Sequence, residues 1–380
     1  MSKSRWWMIV AVAGVVYVAA AGCVLLTSDT PPAGVHGRSS SEPADAQGAA
    51  PVKAKVEGLP FRGFAMQVQR IDNVMDYGRS VDKIAEMGLD TILFVVDSKQ
   101  ENGSSTRIFL DMRGEPSPEK LGELIDYAHG KKLRVILMPI VLLEAPSGQR
   151  DWRGSIHPEP WEDWWDSYRE MEHHYAVVAE KHKVEVYVVG SELVTAEANL
   201  DQWTKTIRQV RKDYSGLITY SANWDHYVSI PFWNQLDLMA MNSYYDLGKN
   251  IKGSHVEKNK ATVEQLNQRW AELREAILGF SRKINKPVFM TEVGWCSMGN
   301  AVTEPWDYTQ TEEPLDLDIQ RRLYESYFET WYGQKGFAGF NLWSWTPNVS
   351  GPQDRGYTPE GKPAEQVLRK WLAKGPWQVQ

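Results

Sequence analysis

Two glutamates carry the chemistry that this sequence is equipped to perform. Glu192 closes the stretch Val184-Glu185-Val186-Tyr187-Val188-Val189-Gly190-Ser191-Glu192, and Glu292 closes Lys286-Pro287-Val288-Phe289-Met290-Thr291-Glu292. Each follows an apolar, β-branched run of the kind that forms a strand buried on both faces. Each carboxylate therefore arrives at the C-terminal end of a strand. In a barrel of parallel strands those ends meet on one face, where active sites are built. A pair of carboxylates meeting there suits glycoside hydrolysis, with one as acid/base and the other as nucleophile. A single glutamate in such a place could equally be a solvated loop residue. The matched contexts, with aromatics beside both, favour the chemical reading.

The elements that must position this pair follow a strand, loop, helix rhythm from Phe61 onward. Strands are expected at Arg62–Gln67, Asp90–Val96, Leu133–Ile140, Glu185–Val189, Leu217–Ser221, Leu236–Asn242, Pro287–Thr291 and Ala338–Trp343. Helices are expected at Val81–Met87, Pro118–His129, Pro160–Lys181, Leu200–Asp213, Thr262–Ile284, Ile319–Tyr332 and Pro363–Ala373, with no strong helix after the fifth strand. This alternation predicts a (β/α)8 TIM barrel over residues 61–376. A doubly wound open sheet would need a Gly-rich nucleotide turn after the first strand, and none is present. Trp161, Trp164, Trp165, Tyr168 and Tyr175 recur at helical spacing and read as a core stripe.

The strand ends should also supply a substrate groove. Gln67, Asp97 and Glu144 fall at or near the first three ends, and Asn223 and Trp224 follow the fifth. The sixth ends in Asn242-Ser243-Tyr244-Tyr245-Asp246, the seventh brings Trp295 after Glu292, and the eighth brings Trp343 and Trp345. Trp152 lies in the long loop after the third strand. The expected substrate-binding set is thus Tyr244, Trp343, Trp345, Asn223, Trp224, Trp295, Asn242 and Trp152. The chain holds 17 Trp, and indole faces stack on the apolar faces of sugar rings. Trp343 and Trp345 lie two apart, so they share a face unless the strand has ended.

Other classes find no support. The net charge is -7 and no Lys/Arg block occurs, which argues against a nucleic-acid partner. His173 and His174 have no HExxH or carboxylate triad with them, so neither metal nor cofactor is expected. No GxSxG elbow, P-loop or CxxC is present.

Lys3 and Arg5 precede an apolar run from Trp6 to Leu26, close to the length of a membrane span. Ala19-Ala20-Ala21-Gly22-Cys23 also fits a weak lipoprotein signal ending at Cys23, or a small-residue cleavage site. All three readings of residues 1–26 export the rest of the chain, expected to be bacterial, and an anchored form is favoured. Residues 27–60 are rich in Ser, Pro, Ala, Gly and Glu and read as a disordered linker. A membrane-attached monomer facing away from the cytoplasm is expected.

Several stretches together resemble glycoside hydrolase family 113, barrel β-mannanases whose catalytic glutamates lie on strands four and seven. They are Ser104-Ser105-Thr106-Arg107-Ile108, Ala128-His129 leading to Leu133-Arg134-Val135-Ile136-Leu137-Met138-Pro139, and Trp152-Arg153-Gly154 running on to Trp161, Trp164, Trp165, Ser167 and Tyr168. Gly190-Ser191-Glu192-Leu193, Thr291-Glu292-Val293-Gly294 and Gly356-Tyr357-Thr358-Pro359-Glu360-Gly361-Lys362-Pro363-Ala364 complete the series. The resemblance implies Glu192 as acid/base, Glu292 as nucleophile and Tyr244 as the latter's strand-six partner. It implies an endo-acting retaining enzyme on a β-mannan-type polysaccharide, with the acid Glu192 kept protonated by burial and its neighbour's charge. Two positions depart from the wider clan: Ser191 stands where Asn usually precedes the acid/base, and Asp97 stands near the place of a strand-two arginine. Three other readings compete: a barrel with little or no activity that binds glycans, a clan member acting on another β-glycan, and a metal-dependent barrel enzyme.

Overall fold

Alternation of side chains along each strand decides the architecture. A computed structural model describes residues 56–379 apart from 112, 149, 150, 310 and 311. The strands are β1 (Phe61–Val68), β2 (Thr91–Gln100), β3 (Arg134–Leu143), β4 (Val186–Ser191), β5 (Leu217–Ala222), β6 (Met239–Asn242), β7 (Val288–Val293) and β8 (Phe337–Leu342). Each pairs in parallel with its neighbours in sequence, and β1 pairs with both β2 and β8. The result is a closed parallel TIM barrel, which has no edge left to protect. A two-residue strand, Ile108–Phe109, adds antiparallel to the end of β2.

One set of alternate residues fills the barrel. Phe61, Ala65, Leu93, Val95, Ile136, Met138, Val186, Val188, Ala240, Phe289 and Ala338 form a single interior cluster. The other set faces helices α1 (Met75–Glu86), α2 (Pro118–Gly130), α3 (Trp161–Lys181), α4 (Leu200–Asp213), α5 (Val263–Ile284), α6 (Leu317–Trp331) and α7 (Pro363–Leu372). The aromatic stripe of α3 is core as expected: Trp164, Trp165, Tyr168 and Tyr175 are buried there. After β5 only a short 3-10 turn at Trp233–Gln235 stands where a helix would be.

Some boundaries differ from the sequence expectation. Helix α1 starts six residues early by that measure, at Met75 rather than Val81. Asn73 accepts from the Met75 amide at 2.9 Å, and its own amide donates to Asp76 at 2.9 Å. That cap tolerates Gly78, whose missing side chain leaves room for Tyr127. Strands β2 and β3 run on together to Gln100 and Leu143. The barrel also begins before Phe61. Val56 and Leu59 pack on the interior cluster, and Arg134 donates to the carbonyls of Gly58 and Pro60. The apolar run 1–26 with Cys23, and the linker up to residue 55, lie outside the described residues. Among the described residues no helix is long and apolar enough to cross a membrane.

Candidate active site

Near their C-terminal ends the inward-facing positions change from apolar to polar. Ser221 on β5, Asn242 on β6 and Thr291 on β7 are fully buried and bonded to one another. Ser221 Oγ donates to Asn242 Oδ1 at 2.8 Å, Thr291 Oγ1 donates to the same oxygen at 3.2 Å, and the two hydroxyls lie 2.6 Å apart. With Oδ1 committed to these donors, the Asn242 amide nitrogen must point the other way. It points at Glu192.

Both glutamates sit where the sheet register slips. The β4–β5 pairing shifts between Val188 and Ser191, and the β6–β7 pairing shifts at Asn242, which stands opposite Glu292. Such bulges at a barrel rim redirect side chains. Glu192 follows β4 with φ of 55°, the left-handed region that non-glycine residues seldom occupy and that clusters at functional sites. Gly190, two residues earlier, has φ of 153°, and a Cβ there would come within 2.7 Å of the Tyr168 hydroxyl. The kink that aims Glu192 thus depends on glycine.

Each carboxylate has its own donors. Glu192 accepts from Asn242 Nδ2 at 2.7 Å on Oε1 and from Arg153 Nη2 at 2.7 Å on Oε2. Glu292 accepts from the Tyr244 hydroxyl at 2.8 Å on Oε2. Burial, reinforced by the charge of Glu192, pushes the Glu292 carboxyl up to about 8, against the pull of Arg153 and the Tyr244 hydrogen bond. The expected elevation therefore falls on Glu292. Arg153 lies directly on Glu192 and acts on Glu292 only through space.

The remaining site candidates divide between groove and core. Trp343 is half-buried at the end of β8, and its amide donates to the Val293 carbonyl at 2.8 Å. It lines a cavity of about 740 Å3 with Gln67, Tyr77, Tyr308 and Tyr357. Trp345 meets that cavity but is 2 % exposed and packs edge-on against Phe64 at 5.4 Å. Strand β8 has ended at Leu342, so strand alternation no longer relates Trp343 to Trp345, and both meet the same cavity. Trp295 is 1 % exposed among Trp270, Tyr324 and Tyr327, so its ring is core rather than groove. Trp152 is half-buried, and its ring folds over Gly154 in its own turn. Asn223 and Trp224 are half-buried after β5, and Trp224 stacks on Trp306 at 6.4 Å. Asp97 lies within β2, held by Gln67 Nε2 at 2.9 Å to both oxygens and by Lys99 Nζ at 3.5 Å.

Sequence reasoning missed Arg153 beside Glu192, Tyr308 and Tyr357 in the cavity wall, and Trp306 against Trp224. Arg153 and Tyr357 were visible only as parts of larger motifs. Trp306 and Tyr308 sit deep in the long loop after β7, with no strand end to mark them. The Ser191 hydroxyl is buried and has no hydrogen-bond partner, and the Asn242 amide serves Glu192 instead. Among the described residues no group of three or more His, Cys, Asp or Glu is arranged to hold a metal ion.

The family model of Glycoside Hydrolase Family 113 matches residues 72–362. Among solved structures, the chain is similar to the GH113 β-mannanase AaManA from Alicyclobacillus acidocaldarius in complex with ManMIm. The identity is 26 %, the match covers 84 % of this chain and 98 % of that one, and the TM-score is 0.74. It is also similar to two further structures, a complex structure of a GH113 β-1,4-mannanase and a structure of a GH113 β-1,4-mannanase, each at 26 % identity. Those matches cover 83 % and 84 % of this chain and 99 % of each of those chains, with TM-scores of 0.71 and 0.72. No curated protein matches.

Proposed function

The chain belongs to glycoside hydrolase family 113, and on that premise we propose that it is a retaining, endo-acting hydrolase of β-mannan-type polysaccharide. The observation that carries this reading is the unequal equipping of two buried carboxylates at one barrel mouth. Glu292 has a phenol on one oxygen, whereas Glu192 has an amide and a guanidinium on its two.

In this mechanism Glu292 attacks the anomeric carbon while Glu192 passes its proton to the departing glycosidic oxygen. A glycosyl ester forms on Glu292 and the C–O bond to the leaving sugar breaks. Glu192, now a carboxylate, takes a proton from water as that water attacks the anomeric carbon. Glu292 leaves with its electron pair, and the sugar keeps its original configuration. Tyr244 stabilises the anionic Glu292 at the beginning and end of the cycle. The reactive state needs the proton on Glu192 and Glu292 ionised, although burial raises the Glu292 carboxyl.

Endo action is supported by aromatics on two sides of the mouth. Trp343 lies at β8, whereas Trp224 and Trp306 lie after β5 and β7, so a polymer could cross the face with sugars on each side of the cleavage point. The mannan preference rests on the β-mannanase relatives. Reducing-sugar release from soluble mannan, glucomannan, xylan and mixed-linkage glucan tests it. Mannan should be cleaved fastest. Faster cleavage of another polysaccharide in the panel would reassign the sugar, and binding without release would make the barrel a glycan-binding protein.

A further inference from the structure

We propose that Arg153 is a positioning residue that decides which of the two carboxyls carries the site's proton, holding Glu192 ionised until substrate is bound. The inference rests on the reading of Glu192 as acid/base. Both Glu192 oxygens accept hydrogen bonds from groups that can only donate as they are placed: Arg153 Nη2 and Asn242 Nδ2, each at 2.7 Å. A guanidinium has no acceptor at all. The Asn242 amide cannot turn round, because Ser221 and Thr291 occupy its oxygen. Donors on both oxygens favour the ionised form of Glu192, and of the two only the guanidinium of Arg153 brings a charge and is free to move away.

The construction around Arg153 fits that task. It does not stand on a barrel strand but on the 3-10 turn Arg153–Ser155 in the loop after β3. The turn is fastened to the loop that carries Glu192, through the Thr195 amide to the Gly154 carbonyl at 3.3 Å and the Thr195 hydroxyl to the Ile156 carbonyl at 2.6 Å. Arg153 and Glu192 are both close to one-tenth exposed, at 12 % and 11 % for their side chains, so solvent screens the pair little. The Arg153 Nε is buried without a partner, so the side chain is secured at its tip rather than along its length.

The charges facing the pair come from several elements. Glu292 on β7 and Glu197 in the loop after β4 are the carboxyls that face Glu192, and its charge raises both. Glu197 is in turn held by Tyr220 at 2.7 Å and faces His226 at 3.3 Å. Asp97 on β2, with Gln67 and Lys99, faces Arg153 from the other side. Arg153 is the cation in direct contact with Glu192. A sugar hydroxyl that took over one Nη, or pushed the side chain toward Asp97, would remove the contact that favours ionised Glu192. The acid would then be armed by the substrate itself.

The test is the pH dependence of two rates in Arg153→Met and Arg153→Lys. One is kcat/KM on a manno-oligosaccharide, which needs Glu192 protonated. The other is kcat on an activated aryl β-mannoside when deglycosylation limits, which needs Glu192 ionised. Loss of the cation should move the alkaline limb of the first and the acid limb of the second upward, by about one to three pH units for a close opposite charge. Arg153→Lys should keep both limbs near their original places, whatever its absolute rate. If Arg153→Met does not fold, Arg153→Gln keeps a donor without the charge and carries the same expectation. Limbs that stay in place while the rate falls at every pH would overturn the inference and make Arg153 structural. A parent enzyme inactive on both substrates would refute the proposed function instead.

Discussion

Asn242 stands opposite Glu292 in the β6–β7 register and donates a 2.7 Å hydrogen bond to Glu192. One inward-facing residue thus couples both carboxylates to the polar top of the barrel. Asn242→Ala should leave Glu192 with Arg153 alone, and of the Ser221 and Thr291 hydroxyls, which still bond to each other, one loses its acceptor. A buried donor without an acceptor costs about 1–3 kcal/mol. The expected outcome is a moderately lower Tm together with a fall in kcat. A fall in kcat with no change in Tm would mean that the network is not a structural support.

The two glutamates should separate by role. Glu292→Ala should be inactive on every substrate, because the glycosyl ester cannot form. Glu192→Ala should lose mannan but still release an activated aryl group, since such a leaving group needs no acid. Deglycosylation would then lag for want of a base and give a burst. Azide should relieve the lag, yielding a glycosyl azide of retained configuration. The exchanged pattern, with Glu292→Ala alone rescued, would exchange the roles.

Trp343 and Trp295 offer a contrast between groove and core. Trp343→Ala should lower kcat/KM at least about tenfold, roughly 1.4 kcal/mol of transition-state binding, with little change in Tm. Trp295→Ala should instead lose about 3–5 kcal/mol of stability. A large fall in Tm for Trp343→Ala would move that residue to the core.

How much of this was legible in the sequence depended on what each residue's neighbours revealed. The buried parallel strands announced themselves by unbroken apolar runs, and their ends located Glu192 and Glu292. The extension of β2 through Asp97–Gln100 did not, because polar side chains there bond across the mouth rather than to water. Strand β6 is shorter than its pattern because Asp237 is taken by Arg211 and the Ile218 amide, each at 2.7 Å. No local pattern separates Trp343 from Trp295. Both follow apolar strands, and only packing puts one in the groove and the other among aromatics. The Arg153 contact depends on a loop turn folded back by Trp152 over Gly154, a geometry that spacing does not express.

Glu172 predicts the direction of a stability profile. It is fully buried on α3, and burial pushes its carboxyl up to about 8 from an ordinary 4.5. Between those values the folded chain holds a proton that the unfolded chain has lost, so stability falls as pH rises. Below the lower value both states are protonated, and above the upper one both are ionised, so the slope vanishes. Glu172→Gln should flatten this part of the profile and raise Tm at pH 8 more than at pH 5. A variant whose Tm tracks the parent at every pH would show that Glu172 does not titrate across that window.

The domain boundary is tested by truncation. We propose that residues 1–55 form the exported anchor and tether, and that the barrel starts with the segment held by Arg134. Removing residues 1–55 should leave a folded, active domain, since Val56, Gly58 and Pro60 keep their contacts. Loss of folding would place part of the barrel upstream. In the native host, activity of the full chain should sediment with membranes, and activity in the soluble fraction would refute the anchor.

The most direct measurement traps the covalent intermediate. Incubation with a 2-deoxy-2-fluoro-β-mannosyl fluoride slows both steps but the second more, so the glycosyl ester accumulates. Peptide mapping by mass spectrometry should find one fluorosugar on Glu292, turning over with retained configuration. A label on Glu192 would reverse the assignment, and an inverted product with no label would contradict the retaining mechanism itself.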